Sequence, residues 1–364
     1  MVVKKLFSPG PVLVEENVRN SLLHYDICHR SQEFEELFKA IQNKILALYN
    51  ADSSYYPLVI SGSGTSANES VLSSVIREND EVLLITNGVF GERLLEILDC
   101  YRIKTIKASF KWGEYPSLEK IEELLKNNPG IALVAMVHHE TSTGMINPVH
   151  EVGKLCRQYQ KIFFVDAVSA FAGEEIDVIK DNIDFITSVG GKCVGAFPGS
   201  AFICSKKEHL EKLNKSQCRN VYLSLFKHYE SAKKNNQTPN TPNVTLFWAL
   251  DQALGNIMTY GKSRWIEGHA ELARYIRAGV KRLGMRLLLS EHMSNTVTSV
   301  FLPENIDLQT FLNEMEDRGY VLYMGKGDYA KQNMFQIANM GNITKDDCDA
   351  FLNELEKCLC KLSK

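Results

Sequence analysis

The sequence predicts an α/β fold: a mostly parallel, seven-stranded sheet with helices on both faces, and a smaller α+β unit toward the C-terminal end. Three observations carry this. Between residues 57 and 188, short apolar runs alternate with segments whose apolar residues recur at helical spacing. Such alternation builds parallel sheets covered on both sides. The polar clusters fall just after the apolar runs, where open sheets of this kind bind ligands. From about residue 243 the pattern changes to two long helical segments, short strands and a final helix.

In chain order, residues 1–14 are expected to form an extended arm, since Pro9 and Pro11 flank Gly10 and proline cannot donate within a helix. EFEELFKAIQNKILALY (33–49) has helical apolar spacing. The strands follow as PLVIS (57–61), EVLLIT (81–86), KTIKAS (104–109), ALVAMVHH (132–139), KIFFVDA (161–167), IDFITS (183–188) and SAFICS (200–205). NESVLSSVI (68–76), ERLLEILDCY (92–101), LEKIEELLKN (118–127) and VHEVGKLCRQY (149–159) are the helices between the first of them. KKNNQTPNTPN (233–243) is polar and low in complexity and reads as a surface loop. Then come the helical segments TLFWALDQALGNIMTYG and IEGHAELARYIRAGVKRLG, strands near 296–302, 320–323 and 334–338, and a helix over 345–361. The division is an arm (1–14), a large domain (15–245) and a small domain (246–364), with no internal repeat.

A chain of 364 residues, 45% hydrophobic and 23% charged, has ample material for a core. Its net charge of -3 argues against nucleic acid or an acidic membrane as partner. No run of apolar residues is long enough for a membrane span, and MVVKKLFSPGP leaves no room for a signal-peptide core. The nine cysteines are scattered without a Cys-x-x-Cys pair, as expected for small buried hydrophobes in a reducing, cytoplasmic compartment rather than for a metal site.

Four features carry chemistry. SGSGTSANE (61–69) follows a strand and opens a helix, so its glycines and free amide groups could cradle an anion; a plain flexible turn is the alternative. Asp166 closes KIFFVDA, where a carboxylate must be paired or hydrogen-bonded, whether to a ligand or as a loop contact. Lys192 follows a glycine pair in apolar surroundings, where desolvation would turn its amine into a nucleophile able to form a Schiff base; a solvated loop lysine is the alternative. Phe90, between glycines in NGVFGER, could stack on a flat ring or be ordinary core. An anion cradle, a buried carboxylate, an activated lysine and an aromatic together suit pyridoxal phosphate (PLP). In that reading Lys192 holds the cofactor aldehyde and then moves the substrate proton.

The same residues resemble the class V aminotransferase group of fold-type-I PLP enzymes, and within it the 2-aminoethylphosphonate–pyruvate transaminase family. The likeness runs nearly end to end through SPGP (8–11), SGSGTSANE, NGVFGER, AMVHHETSTGMINPVHEVGKL (135–155), FVDAVSAFAG (164–173), KCVGAFPG (192–199), VLYMGK (321–326) and FQIANMGNI (335–343). The resemblance implies that Lys192 forms the Schiff base and Asp166 pairs with the pyridine nitrogen. It implies that Phe90 and Val168 cover the two ring faces and that Thr141 meets the ring hydroxyl. Ser63, Gly64, Thr65 and Ser188 would hold the phosphate, helped by Thr241, or its rival Thr238, from the other subunit of a homodimer with the site at the interface. Ser8, Gly10, Arg30 (in the HRS-x-EF motif) and position 336 would border the substrate.

One departure bears on specificity. Relatives carry an arginine that clamps the substrate anion where this chain has Gln336, and a neutral amide cannot replace a bidentate charged pair. Gly191 stands where relatives often have a polar amide. The resemblance therefore implies an aminotransferase for a small anionic amine, 2-aminoethylphosphonate-like, with an α-keto acid such as pyruvate as acceptor and the anion held by another residue, such as Arg30 or Lys326. The alternatives are a PLP lyase or decarboxylase acting on an amino-phosphonate or amino-phosphate, and a catalytically idle regulatory protein, against which intact Lys192 and Asp166 argue.

Overall fold

The computed structural model describes residues 4–363; the first three residues of the expected arm, and Lys364, lie outside it. Seven strands, β1 (Tyr55–Gly62), β2 (Glu81–Thr86), β3 (Lys104–Ser109), β4 (Ile131–Val137), β5 (Ile162–Asp166), β6 (Phe185–Val189) and β7 (Gly199–Lys206), form one sheet in the order β1-β7-β6-β5-β4-β2-β3. All neighbours run parallel except β7, which is antiparallel to both β1 and β6. The inner strands are buried along almost their whole length, so their sequences read as continuous apolar runs rather than alternating ones. The strand order reverses between β2 and β4, and the crevice beyond their carboxyl ends is where such a sheet accepts a ligand.

Helix α1 (Gln32–Leu48) starts where the side chain of Ser31 accepts from the Phe34 amide, and it buries Phe34, Leu37, Phe38, Ile41 and Ile45 on one stripe. Two helices begin earlier than their apolar periodicity indicates. α2 (Gly64–Val75) takes in the glycine turn, and α3 (Val89–Cys100) takes in Phe90. Apolar spacing marks the buried face of a helix, and these first turns face the crevice instead. The polar stretch 233–243 is not a simple surface loop. Its first residues close a helix, α4 (Leu225–Asn235), and Gln237 and Thr238 are buried.

Two apolar clusters underlie the chain. The first surrounds the sheet and includes Val12 and Val14 from the arm. α5 (Val244–Tyr260) adds Phe247, Leu250, Leu254 and Ile257 to this cluster, so the expected boundary at 245/246 coincides with a helix that packs on the large sheet. The second cluster joins Phe7 to Ile276, Phe311, Phe335, Phe351 and their neighbours. It underlies an antiparallel sheet of β8 (Arg286–Leu287), β9 (Val297–Phe301), β10 (Tyr323–Met324) and β11 (Met334–Ala338), in the order β8-β9-β11-β10, and helix α6 (Lys345–Leu362). The strand expected at 320–323 is split. Tyr320–Val321 pairs with Lys5–Leu6 of the arm, and Tyr323–Met324 joins the small sheet. The arm is thus stitched down: the Ala338 amide donates to Phe7 O at 2.8 Å, and Phe7 stacks on Phe351 with centroids 4.5 Å apart.

Among the described residues, no helix is long and apolar enough to cross a membrane, and no cluster of His, Cys, Asp or Glu could hold a metal ion.

Candidate active site

A cavity of about 540 Å³ opens beyond the carboxyl ends of the central strands, and Lys192, Asp166, Phe90, Gly64 and Gly10 all line it. Lys192 reaches it from the turn after β6. The turn is tight: a Cβ on Gly191 would lie 2.8 Å from the Pro198 nitrogen, which explains why a side-chain-bearing amide is absent there. Nζ of Lys192 donates to the Pro9 carbonyl of the arm. Gly10, at φ +119°, adopts a backbone conformation that favours glycine, and a Cβ there would crowd the end of the Lys192 side chain, 2.6 Å from Nζ. Burial lowers the pKa of Lys192, while nearby Cys193 and Asp166 pull it back up.

Asp166 is buried at the end of β5 and both its oxygens are satisfied. Oδ1 accepts from the Val168 amide at 2.9 Å and Oδ2 from Asn68 Nδ2 at 2.6 Å. Asn68 is fixed in turn by Thr187, whose hydroxyl donates to its Oδ1 at 2.5 Å. Burial raises the pKa of Asp166, and the Val168 and Asn68 donors oppose the rise. Asn68 lies one helical turn after Gly64, so the start of α2 and the Asp166 partner share one face. Among the described residues, no side chain caps that start. Ser63, Gly64 and Thr65 line the cavity there, and a Cβ on Gly64 would come 2.5 Å from Val168. Across the cavity, Phe90 sits in the first turn of α3, and the Arg93 guanidinium lies over its ring, 4.8 Å from the centroid. Arg93 also lines the cavity and has no ion-pair partner among the described residues.

Other expected site residues lie elsewhere. Ser188 does not line the cavity. Successive strand residues point to opposite faces, and it is Thr187 and Val189 that face the site, leaving the buried Ser188 hydroxyl on the far side of β6, without a partner among the described residues. Thr141 does not line the cavity, and its buried hydroxyl is 2.6 Å from Ser169 Oγ. Ser8 is buried and donates to the Pro11 carbonyl. Gln336 is 1% exposed, and its Nε2 donates to Thr141 O at 2.7 Å and to Ser299 Oγ at 3.1 Å, so it ties the small sheet to the loop after β4. Arg30 is occupied by Gln237 Oε1 and by the carbonyls of Thr238 and Pro239. Thr238 is buried and Thr241 exposed. Lys326 is exposed over the Tyr323 ring, while the Tyr323 hydroxyl donates to Gly10 O at 2.8 Å. Asn68 and Arg93 stood inside the quoted stretches, but nothing in the residue pattern singled them out.

The family described as Aminotransferase class-V matches residues 14–340. The chain belongs to the class V aminotransferases. It is 31% identical over 357 residues, 97% of this chain and 96% of the relative, to a 2-aminoethylphosphonate–pyruvate transaminase of Lysinibacillus sphaericus. Among solved structures it is similar to the alanine–glyoxylate aminotransferase of a Nostoc species, with a TM-score of 0.92, 25% identity, and coverage of 99% of this chain and 96% of that one. The ureidoglycine–glyoxylate aminotransferase of Bacillus subtilis gives a TM-score of 0.92 and 26% identity, covering 100% of this chain and 95% of that one. This class V aminotransferase therefore has the fold-type-I architecture and is a PLP-dependent transaminase in kind. The lyase or decarboxylase alternative finds no favour among these relatives, which are transaminases by name.

Proposed function

We propose that this chain transfers the amino group of a small anionic primary amine, resembling 2-aminoethylphosphonate, to an α-keto acid such as pyruvate, with PLP as cofactor. The carrying observation is the meeting, in one cavity, of Lys192, Asp166, the uncapped start of α2 and the unpaired cation Arg93. The donor set fits PLP. Lys192 offers an amine to the aldehyde, Asp166 a carboxylate to the pyridine nitrogen, and the α2 amides with Ser63 and Thr65 a cradle for the phosphate. Phe90 and Val168 stand ready for the ring faces. When bound, PLP supplies an electron sink for the amine-bearing carbon.

The remaining work falls to the chain's own side chains. Lys192 Nζ, kept more in its neutral, proton-accepting form by burial, takes the proton from the amine-bearing carbon and later returns one. The Pro9 carbonyl keeps Nζ in place. Asp166, oriented by Asn68 and Val168, holds a proton on the ring nitrogen. Arg93 meets the anionic head that position 336 cannot, because Gln336 is neutral and committed to Thr141. The name of the Lysinibacillus relative supports a phosphonate-like donor. The same reading includes a homodimer with the site at its interface. Leu23, Tyr25 and Val221 are 84%, 65% and 71% exposed, apolar surface suited to a second copy, and exposed Thr241 rather than Thr238 is available to reach across.

The test is to incubate protein and PLP with pyruvate and ¹⁵N-labelled 2-aminoethylphosphonate or a short series of amino-sulfonates, amino-phosphates and ω-amino acids. Labelled alanine is expected with at least one anionic amine and only when pyruvate is present. Amine loss without pyruvate beyond one equivalent of the PLP present would refute transfer, since a transaminase alone can hand over only one amino group per cofactor.

A further inference from the structure

We propose that Glu140 is a positioning residue, whose carboxylate clamps the first turn of α3 and thereby sets the Phe90 ring against the cofactor; this rests on the cavity holding PLP. Glu140 follows β4 and is fully buried. Oε2 accepts from the amides of Phe90 at 3.2 Å and Gly91 at 3.1 Å. Oε1 accepts from the Ser142 amide at 3.2 Å and the Ser142 hydroxyl at 2.5 Å. Every one of these contacts is a donor to the carboxylate, as an ionised acid requires. The start of a helix carries free amide groups and the positive end of the backbone dipole, and here a carboxylate from a neighbouring segment meets them.

The loop also supplies the remaining partner, since the Val89 amide donates to Ser142 Oγ at 3.1 Å. The first three amides of α3 are thus all satisfied from residues 140–142, across the point where the strand order reverses. Gly88 is shaped by this contact. A Cβ there would lie 2.4 Å from the Glu140 carboxyl carbon and 2.6 Å from Ser142 Oγ. The glycine of NGVF and the acid of HHET therefore act as one device. What it holds is the turn bearing Phe90, with Arg93 one turn on, and both line the cavity. A helix cap of purely structural use would act on stability without acting through that ring.

The experiment is a double-mutant cycle on PLP affinity, with PLP-free protein titrated and the bound cofactor followed by visible circular dichroism. Glu140→Gln puts an NH₂ group against donors and is expected to weaken PLP binding about tenfold or more, since hydrogen bonds to charged groups are worth that much. In a Phe90→Ala background the same change should alter affinity by less than about twofold, because the ring it positions is gone. Equal losses in both backgrounds would overturn the proposal. Should Glu140→Gln not fold, Ser142→Ala, which keeps the carboxylate and removes the hydroxyl that donates to Oε1 and accepts from the Val89 amide, is carried through the same cycle with the same criterion. Wild-type protein that takes up no PLP would overturn this proposal and the proposed function together; a wild type that binds PLP with additive losses overturns this one alone.

Discussion

The Asn68→Leu substitution tests the arrangement around Asp166 most directly. Leucine matches the shape of asparagine but neither donates nor accepts. The Asp166 carboxylate, 5% exposed, would keep the Val168 amide and lose the 2.6 Å bond from Asn68. A hydrogen bond to a charged group is worth about 1.5–3 kcal/mol. The Thr187 hydroxyl loses its acceptor as well, adding about 1 kcal/mol to the cost in stability. If the carboxylate bond serves the reacting state, kcat/KM should fall about ten- to hundredfold, since about 1.4 kcal/mol corresponds to a factor of ten. Burial already raises the pKa of Asp166, and removing a donor moves it further the same way. A protonated Asp166 cannot hold a cationic ring nitrogen, so the acid limb of the kcat/KM profile should shift to higher pH. The assay is steady-state kinetics across pH on PLP-loaded enzyme, with the melting temperature of the PLP-free protein as control. A kcat/KM within about twofold of wild type and an unmoved acid limb would show that Asn68 only packs.

Lys192→Ala should leave no cofactor attached after borohydride reduction, read by mass spectrometry of the intact chain; a retained adduct would place the Schiff base elsewhere. Arg93→Met should raise KM for an anionic donor about ten- to hundredfold while changing KM for an uncharged amine little, and equal effects on both would remove Arg93 from the substrate site. Gln336→Leu should cost about 1–3 kcal/mol by stranding the Thr141 carbonyl, measured by denaturant unfolding. Burial pushes the Glu174 pKa up to about 8. The folded chain therefore keeps a proton that the unfolded chain, titrating near 4.3, releases. Wild type loses stability as pH rises from about 4.5 toward 8, by at most about 1.4 kcal/mol per unit, and levels off above that. Glu174→Gln lacks this loss, so its stability relative to wild type should grow across that window; a difference constant with pH would contradict the assignment.

The inner strands of the large sheet were legible because strands covered on both faces must be apolar throughout, and such runs stand out. The starts of α2 and α3 were not, because residues facing a cavity escape the apolar periodicity that marks a core-facing helix. The convergence of Lys192 and Asp166 followed from their places at strand ends. Ser188 did not fit, because its offset from Lys192 says nothing about which side of β6 it occupies, and strand alternation decides that. Arg30 and Gln336 were read by their charge or lack of it. Their roles depend on backbone carbonyls supplied by loops far along the chain, which no local pattern reveals.

The antiparallel strand β7 has a consequence for assembly. β1 pairs only with β7, so Tyr55 waits for Lys206 and Gly62 for Gly199, while β2, β4 and β5 find parallel partners through short crossovers. Distant pairings close late because the intervening chain must first be ordered. In refolding, amide protection in β4 and β5 should precede that in β1, which pulsed hydrogen exchange can time. Lys192 lies on the hairpin leading into β7, and Gly64 on the turn leaving β1. The side of the cavity bearing Asp166 and Phe90 is therefore expected to stand before the side bearing Lys192 and Gly64 joins it, so a newly made chain should become competent for catalysis only once β1 and β7 have paired.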